Sequence, residues 1–152
     1  MSKWESIENL PDFEGKGVYK FRLVDNEGKI VSIPRFLGED KDGIMVIGQS
    51  KNIKNRLKQF YKVVIENKKR PHSEGLTFHL LREVTKYNDK YETCTFQYTF
   101  SEVEEPKEEE KKLLEDYFVK YGETPPLNYK REFITSKRIR KSYFSHIDYQ
   151  KT

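Results

Sequence analysis

Val46-Ile47-Gly48-Gln49-Ser50-Lys51-Asn52-Ile53-Lys54-Asn55-Arg56 reads as the end of a strand, a glycine turn and the start of a helix. Ile44 to Ile47 is an apolar run, too short for a helix and bounded by Gly43 and Gly48, which predicts a buried strand. Gly48 permits a tight turn or a close backbone approach. Ser50 or Asn52 can cap the helix that follows by accepting from an unpaired backbone N–H. That helix, from about Asn52 to Glu66, sets Ile53, Leu57, Phe60 and Val64 on one apolar stripe. Arg56 falls about 60° from the stripe's centre at about 100° per residue. Lys51, Lys54, Lys58 and Lys62 point further outward.

Upstream, residues 1–16 read as a polar leader loop with a short helical turn near Trp4. Residues 17–24 alternate, with Tyr19, Phe21 and Leu23 on one face and Lys20 and Arg22 on the other. A turn at Asp25-Asn26-Glu27-Gly28 and a returning strand from Lys29 to Ile33 predict a hairpin. Pro34 ends that strand or puts it at an edge, and a charged loop spans Gly38 to Gly43. Downstream comes a basic loop from Asn67 to Gly75. A second helix, Leu76 to Tyr87, is expected to turn Leu76, Leu80, Val84 and Tyr87 inward. Tyr91 to Phe100 alternates as a strand, with Cys94, Phe96, Tyr98 and Phe100 on one face. A third helix begins at Pro106 among glutamates, which suit the helix dipole. It buries Leu113, Leu114, Tyr117, Phe118 and Tyr121 and stops near Gly122. The order β, β, β, α, α, β, α predicts an α+β domain over residues 1–128, a small mostly antiparallel sheet flanked by three helices. Residues 129–152 form a tail with seven Lys/Arg against Glu132 and Asp148.

The 152 residues suffice for one domain with a modest core. Only 35% are apolar, but ten Tyr and ten Phe supply large rings to fill that core. The net charge of +4 mildly favours an anionic partner. Cys94 is the single cysteine and cannot form an intrachain disulfide. No apolar run reaches membrane-span length and the first residues are no signal peptide. The expected setting is therefore reducing and intracellular, cytoplasmic or nucleoid-associated.

Four side chains could carry chemistry, and each also has a plain structural use. Tyr19 on the apolar face of the first strand serves equally as a core tyrosine. Arg56 beside the helix stripe serves as a surface ion pair or a snorkelling arginine. Glu115 lies on the helical wheel between Phe118 and Val119, where a carboxylate needs a cation, a proton or a donor; a helix-edge pair with a lysine satisfies it too. Asn128 follows two prolines in a turn, where asparagine commonly caps backbone groups. His72, His79 and His146 have no ligand spacing. There is no Walker loop, no G-x-S-x-G and no Gly-rich dinucleotide turn. A lone oxygen ligand such as Glu115 suits Mg²⁺ or Mn²⁺, which keep most of their waters.

Taken in order, these residues resemble the GIY-YIG nuclease superfamily across roughly residues 10–130. Gly17-Val18-Tyr19 looks like the first motif and Val46-Ile47-Gly48 like the second. Gln49 to Leu57 is similar to the helix that carries the family's arginine. Leu113-Leu114-Glu115 and Pro126-Leu127-Asn128 are similar to the block with the metal-binding glutamate and the closing asparagine. Two positions depart from the pattern: Val46 stands where the family has tyrosine, and Phe60 where it usually has His or Tyr. The stretch between the first two motifs is also longer than usual. The resemblance implies a three-stranded central sheet flanked by three helices, with an extra hairpin strand inserted.

It also implies metal-dependent hydrolysis of DNA phosphodiester bonds. Glu115 would hold one Mg²⁺ or Mn²⁺, Tyr19 would orient or deprotonate the attacking water, Arg56 would stabilise transition-state charge, and Asn128 would brace the site. Lys51, Lys54, Lys58, Lys130, Arg131, Lys137, Arg138, Arg140 and Lys141 are candidate phosphate contacts, or a solvated basic face that touches nothing. Two other functions fit the sequence. One is a catalytically impaired module of this scaffold that binds nucleic acid or a protein without cleavage, and the other is an unrelated α+β interaction domain.

Overall fold

The computed structural model describes residues 1–66 and 73–128 of the chain. Its elements are β1 (Glu5–Ser6), β2 (Gly17–Val24), β3 (Ile33–Arg35), β4 (Gly38–Asp40), β5 (Ile44–Ser50), α1 (Ile53–Val64), α2 (Ser73–Val84), α3 (Tyr87–Tyr91), β6 (Thr95–Glu102) and α4 (Pro106–Tyr121). The fold is α+β, as predicted, but its antiparallel sheet has four strands, ordered β1-β6-β2-β5, not three, and the described residues hold four helices, not three. β3 and β4 form a separate two-stranded antiparallel ribbon.

The strand with the clearest alternation sits between two partners. β2 pairs with β5 on one side and β6 on the other, matching Tyr19 with Gly48 and Phe100, and Phe21 with Val46 and Tyr98. The β2–β5 register shifts between Phe21 and Arg22, leaving Met45 as the extra residue of a bulge. Tyr19, Phe21, Leu23, Val46, Phe96 and Tyr98 join Ile53, Leu57, Phe60 and Val64 of α1 and Phe78 of α2 in the main core. Rings dominate its centre: Phe60 stacks on Phe21 at 3.8 Å and meets Phe96 edge-on at 5.1 Å. Ile44 and Ile47 instead pack with Tyr117 and Tyr121 of α4, with Trp4, Leu113 and Leu114 at the margin. Neighbours along a strand point to opposite faces, so Val46 and Ile47 serve the two clusters and helices cover both sides of the sheet.

α1 starts where its cap dictates. Asn52 has extended backbone and its side chain accepts from Asn55 N–H at 3.0 Å, while Ser50 Oγ accepts from Asn52 N–H at 3.0 Å. The expected stripe is intact: Ile53, Leu57, Phe60 and Val64 are all buried. α4 also runs as expected, from Pro106 to a left-handed cap at Gly122.

Four expectations need correction. Residues 1–16 are not a loose leader: Glu5–Ser6 adds an edge strand to β6, Ile7 is fully buried, and Trp4 lies under the Arg22 guanidinium at 4.1 Å rather than in a helical turn. The returning strand of the first hairpin shrinks to one bridge between Val24 and Ile30, and Pro34 belongs to the β3–β4 ribbon, whose strands are both edges. The second helix begins at Ser73 and a separate short helix holds Tyr87 and Tyr91, so the next strand starts at Thr95, not Tyr91. Its inward face is also different. Leu80 and Val84 are 54% and 78% exposed, while Phe78 is buried against Phe96 and Tyr87 at ring distances of 4.9 and 5.0 Å. The side chain of Leu76, residues 67–72 of the basic loop and the tail from 129 lie outside what the structure describes. Among the described residues, no helix is long and apolar enough to cross a membrane.

These burials set opposite outcomes for two changes on one helix. Phe78→Ala should cost about 3–5 kcal/mol of unfolding free energy, whereas Val84→Ala should stay within about 0.5 kcal/mol. Urea titration of the two variants checks both.

Candidate active site

Two of the candidate residues meet where β2, β5 and α1 come together. Tyr19 is 1% exposed, its ring 5.2 Å from that of Phe21. Its phenol oxygen accepts a hydrogen bond from Arg56 Nε at 3.2 Å. Arg56 is half-buried, and its Nη1 donates to Gln59 Oε1 at 3.2 Å. The arginine therefore lies where the helical wheel put it, beside the stripe, and its head turns inward to the phenol. Gln59 is a partner that the sequence reading missed, although its i+3 spacing from Arg56 is a recognisable helix-face signal.

Glycine at 48 is a requirement of that ring. Gly48 is the cross-strand partner of Tyr19, and a Cβ placed on it would run into the Tyr19 ring and hydroxyl. Gly17 answers a similar constraint at the other end of the motif, where an added Cβ would strike the Ser101 carbonyl of β6. Gly48 is read from the sequence as a turn or close-approach residue; the structure shows close approach there and also at Gly17.

Asn128 is tied to the same strand one residue earlier. Its Oδ1 accepts from Ile47 N–H and its Nδ2 donates to Ile47 C=O, both at 2.9 Å. Leu127 N–H adds a bond to Met45 C=O at 3.0 Å, and Thr124 Oγ1 donates to Asn128 C=O at 2.8 Å. The amide of one side chain thus pairs with both backbone groups of Ile47. These bonds hold Asn128 against β5, the strand that carries Gly48.

Glu115 is 5% exposed, as its place among apolar neighbours on the helical wheel suggests. It sits on α4, whose Leu113 and Leu114 pack with the Ile44–Ile47 cluster on β5. The same helix is anchored two residues on. Tyr117 Oη donates to Asp40 Oδ2 at 2.9 Å, and Asp40 also accepts from Asp42 N–H and Ile44 N–H. Burial, and then the Asp40 carboxylate, push the Tyr117 phenol far above its ordinary range, so it stays a donor. Asp40 is read from the sequence only as part of a charged loop; its signal was Asp40-Lys41-Asp42-Gly43, an Asx-type turn.

The basic residues divide. Lys51 and Lys58 are exposed, while Lys54 Nζ is 3.2 Å from Asp12 Oδ1 and 4.0 Å from Glu14 Oε1, so its charge is partly matched within the protein. Lys130, Arg131, Lys137, Arg138, Arg140 and Lys141 lie outside the described residues. The two departures from the family pattern are core residues: Val46 and Phe60 are both 0% exposed. No family model, curated protein or solved structure matches the chain.

The clamp at Ile47 predicts a graded series. Asn128→Asp keeps the acceptor and loses the donor; Asn128→Ala loses both. The alanine variant should lose about 1–3 kcal/mol, as expected when backbone groups are left unmade, with the aspartate variant between it and the parent in thermal melts. Gly48→Ala should cost about 1–3 kcal/mol by overpacking the Tyr19 ring, and a crystal structure of that variant should show the phenol displaced from Arg56.

Proposed function

We propose that the chain is a metal-dependent endonuclease of the GIY-YIG type that hydrolyses DNA phosphodiester bonds. The observation that carries this is the 3.2 Å bond from Arg56 Nε to Tyr19 Oη, which joins residues of two separate motifs at one point. Gly48 and Asn128, from two further motifs, are fixed to the same strand pair.

Each residue then has a task that its chemistry allows. Tyr19, as phenolate with its own proton already lost to solvent, orients the attacking water and takes its proton to become the neutral phenol, and the guanidinium donating to its oxygen stabilises the phenolate before that step. Arg56 spreads positive charge toward the phosphorane-like transition state. Asn128 holds β5 so that Gly48 stays against the phenol. Glu115 is the residue that would hold a divalent ion. Among the described residues no three His, Cys, Asp or Glu side chains gather as a metal-binding group, so an ion on Glu115 would keep most of its own waters, which suits Mg²⁺ or Mn²⁺. Bound there, such an ion would supply Lewis-acid charge for phosphodiester hydrolysis. Lys51 and Lys58 add exposed positive charge for backbone phosphates, which positions DNA without reading its sequence.

A second reading has its own support. Val46 and Phe60 stand where the family has polar groups, and both are sealed in the core, as is the Tyr19 ring. A catalytically impaired module that binds nucleic acid without cutting it fits that packing.

Cleavage separates the two. Supercoiled plasmid incubated with the protein and Mn²⁺ should be nicked, and Glu115→Gln and Arg56→Ala should each slow nicking by about 10²-fold or more, the scale of losing one electrostatic stabiliser. Uncut plasmid with salt-sensitive DNA binding would establish the second reading. A Glu115→Gln variant that cuts like the parent would remove the first.

A further inference from the structure

Arg56 meets two side chains through different atoms of its fork. Its Nε donates to Tyr19 Oη and its Nη1 to Gln59 Oε1, each at 3.2 Å. Both bonds lie at the long end of the range for N–H···O, so neither alone fixes the head firmly. Together they constrain it further. A guanidinium is planar, and Nε and Nη1 are separate corners of it, so two anchored corners set its direction and its plane. We propose that Gln59 is a positioning residue, which holds the Arg56 guanidinium so that Nε faces the Tyr19 phenol oxygen.

The helix explains why position 59 carries this task. Side chains three and four apart are neighbours on a helix, so Asn52, Ile53, Gln59 and Phe60 flank Arg56 on α1. Ile53 and Phe60 are 0% exposed and belong to the main core. Asn52 Oδ1 accepts from Asn55 N–H as the cap of the helix. Gln59 is the flanking side chain whose oxygen meets the fork. A guanidinium only donates, so this contact also fixes which way the amide of Gln59 turns. Gln59 and Arg56 are both half-buried, and a hydrogen bond withdrawn from bulk water is electrostatically stronger than one in it. The phenol is placed by other means, its ring lying against Gly48 and 5.2 Å from that of Phe21. The arginine is the longer, more rotatable member of the pair and loses more rotamer freedom when ordered. A second contact from its own helix offsets that loss. That this placement serves phosphodiester hydrolysis rests on the nuclease reading; the placement itself does not.

Two substitutions separate holding from mere packing. Gln59→Met removes the acceptor at similar length and helix propensity, and Gln59→Glu keeps an acceptor oxygen in its place. The readout is the exchange with water of the Arg56 Nε proton in the isotope-labelled full chain, its signal assigned by its loss in Arg56→Lys. Exchange should be about three- to tenfold faster in Gln59→Met, the worth of one hydrogen bond, and no faster than the parent's in Gln59→Glu. A residue that only packed on α1 would leave this proton unchanged. Turnover gives a second readout. On supercoiled plasmid with Mn²⁺, Gln59→Met should lower kcat by about the same factor with KM unchanged, as when a group acting in the transition state is misplaced. Three results overturn the proposal: exchange unaltered in Gln59→Met, exchange as fast in Gln59→Glu as in Gln59→Met, or parental kcat in Gln59→Met of a protein that cuts. Uncut plasmid with faster exchange in Gln59→Met alone would sink the nuclease reading and leave the role of Gln59 standing. Plasmid cut by the parent with unaltered exchange would sink the role of Gln59 alone.

Discussion

The Tyr19 ring lies against the bare Cα of Gly48, and this contact sets how β2 and β5 meet. A side chain at 48 would push the ring away from α1, and with it the oxygen that Arg56 reaches. Because β2 is paired on both sides, it cannot drift to relieve such a push. The same ring belongs to the central aromatic cluster with Phe21, Phe60 and Phe96. Core packing and the position of a candidate catalytic oxygen therefore rest on one cross-strand pair, and close-packed interiors transmit small displacements instead of absorbing them.

The second support of the site comes from the far end of the described chain. After α4 the backbone turns through Pro125 and Pro126, and Leu127 and Asn128 bond to Met45 and Ile47 of β5. At its other end β5 is held by Asp40, which accepts from Ile44 N–H and from the Tyr117 hydroxyl of α4. Helix α4, which carries Glu115, is thus fastened to β5 both by its own Tyr117 and by the turn that follows it. In the nuclease reading proposed above, Glu115 needs such fixed placement, since small errors of position are costly in catalysis.

Sequence pattern revealed those features whose cause is local. The α1 stripe, the Asn52 cap, the β2 alternation and the burial of Glu115 beside Phe118 all follow from spacing along one element. The pattern failed where the cause is distant or divided. Glu5–Ser6 has no alternation of its own and becomes a strand only by pairing with Gln97 and Tyr98. The second helix has apolar residues on more than one side, so periodicity left its orientation open, and ring contacts of Phe78 with Phe96 and Tyr87 decided it. At the candidate site, the pairing of Tyr19 with Arg56 accords with the motif order, whereas the two hydrogen bonds between Asn128 and Ile47 span 81 residues and no local rule encodes them. Val46 and Phe60, where the resemblance is weakest, both pack in the main core with Phe21 and its neighbours.

The bonds from Leu127 and Asn128 have another result, for the border of the sheet. β5 is its outermost strand on that side, and an open border of unpaired amides and carbonyls invites a strand from another molecule. Here Met45 and Ile47 are already engaged by the chain's own turn. At the opposite border β1 is only Glu5–Ser6, too brief to template much addition. A turn that steadies the candidate active site thereby also guards the protein against edge-to-edge aggregation.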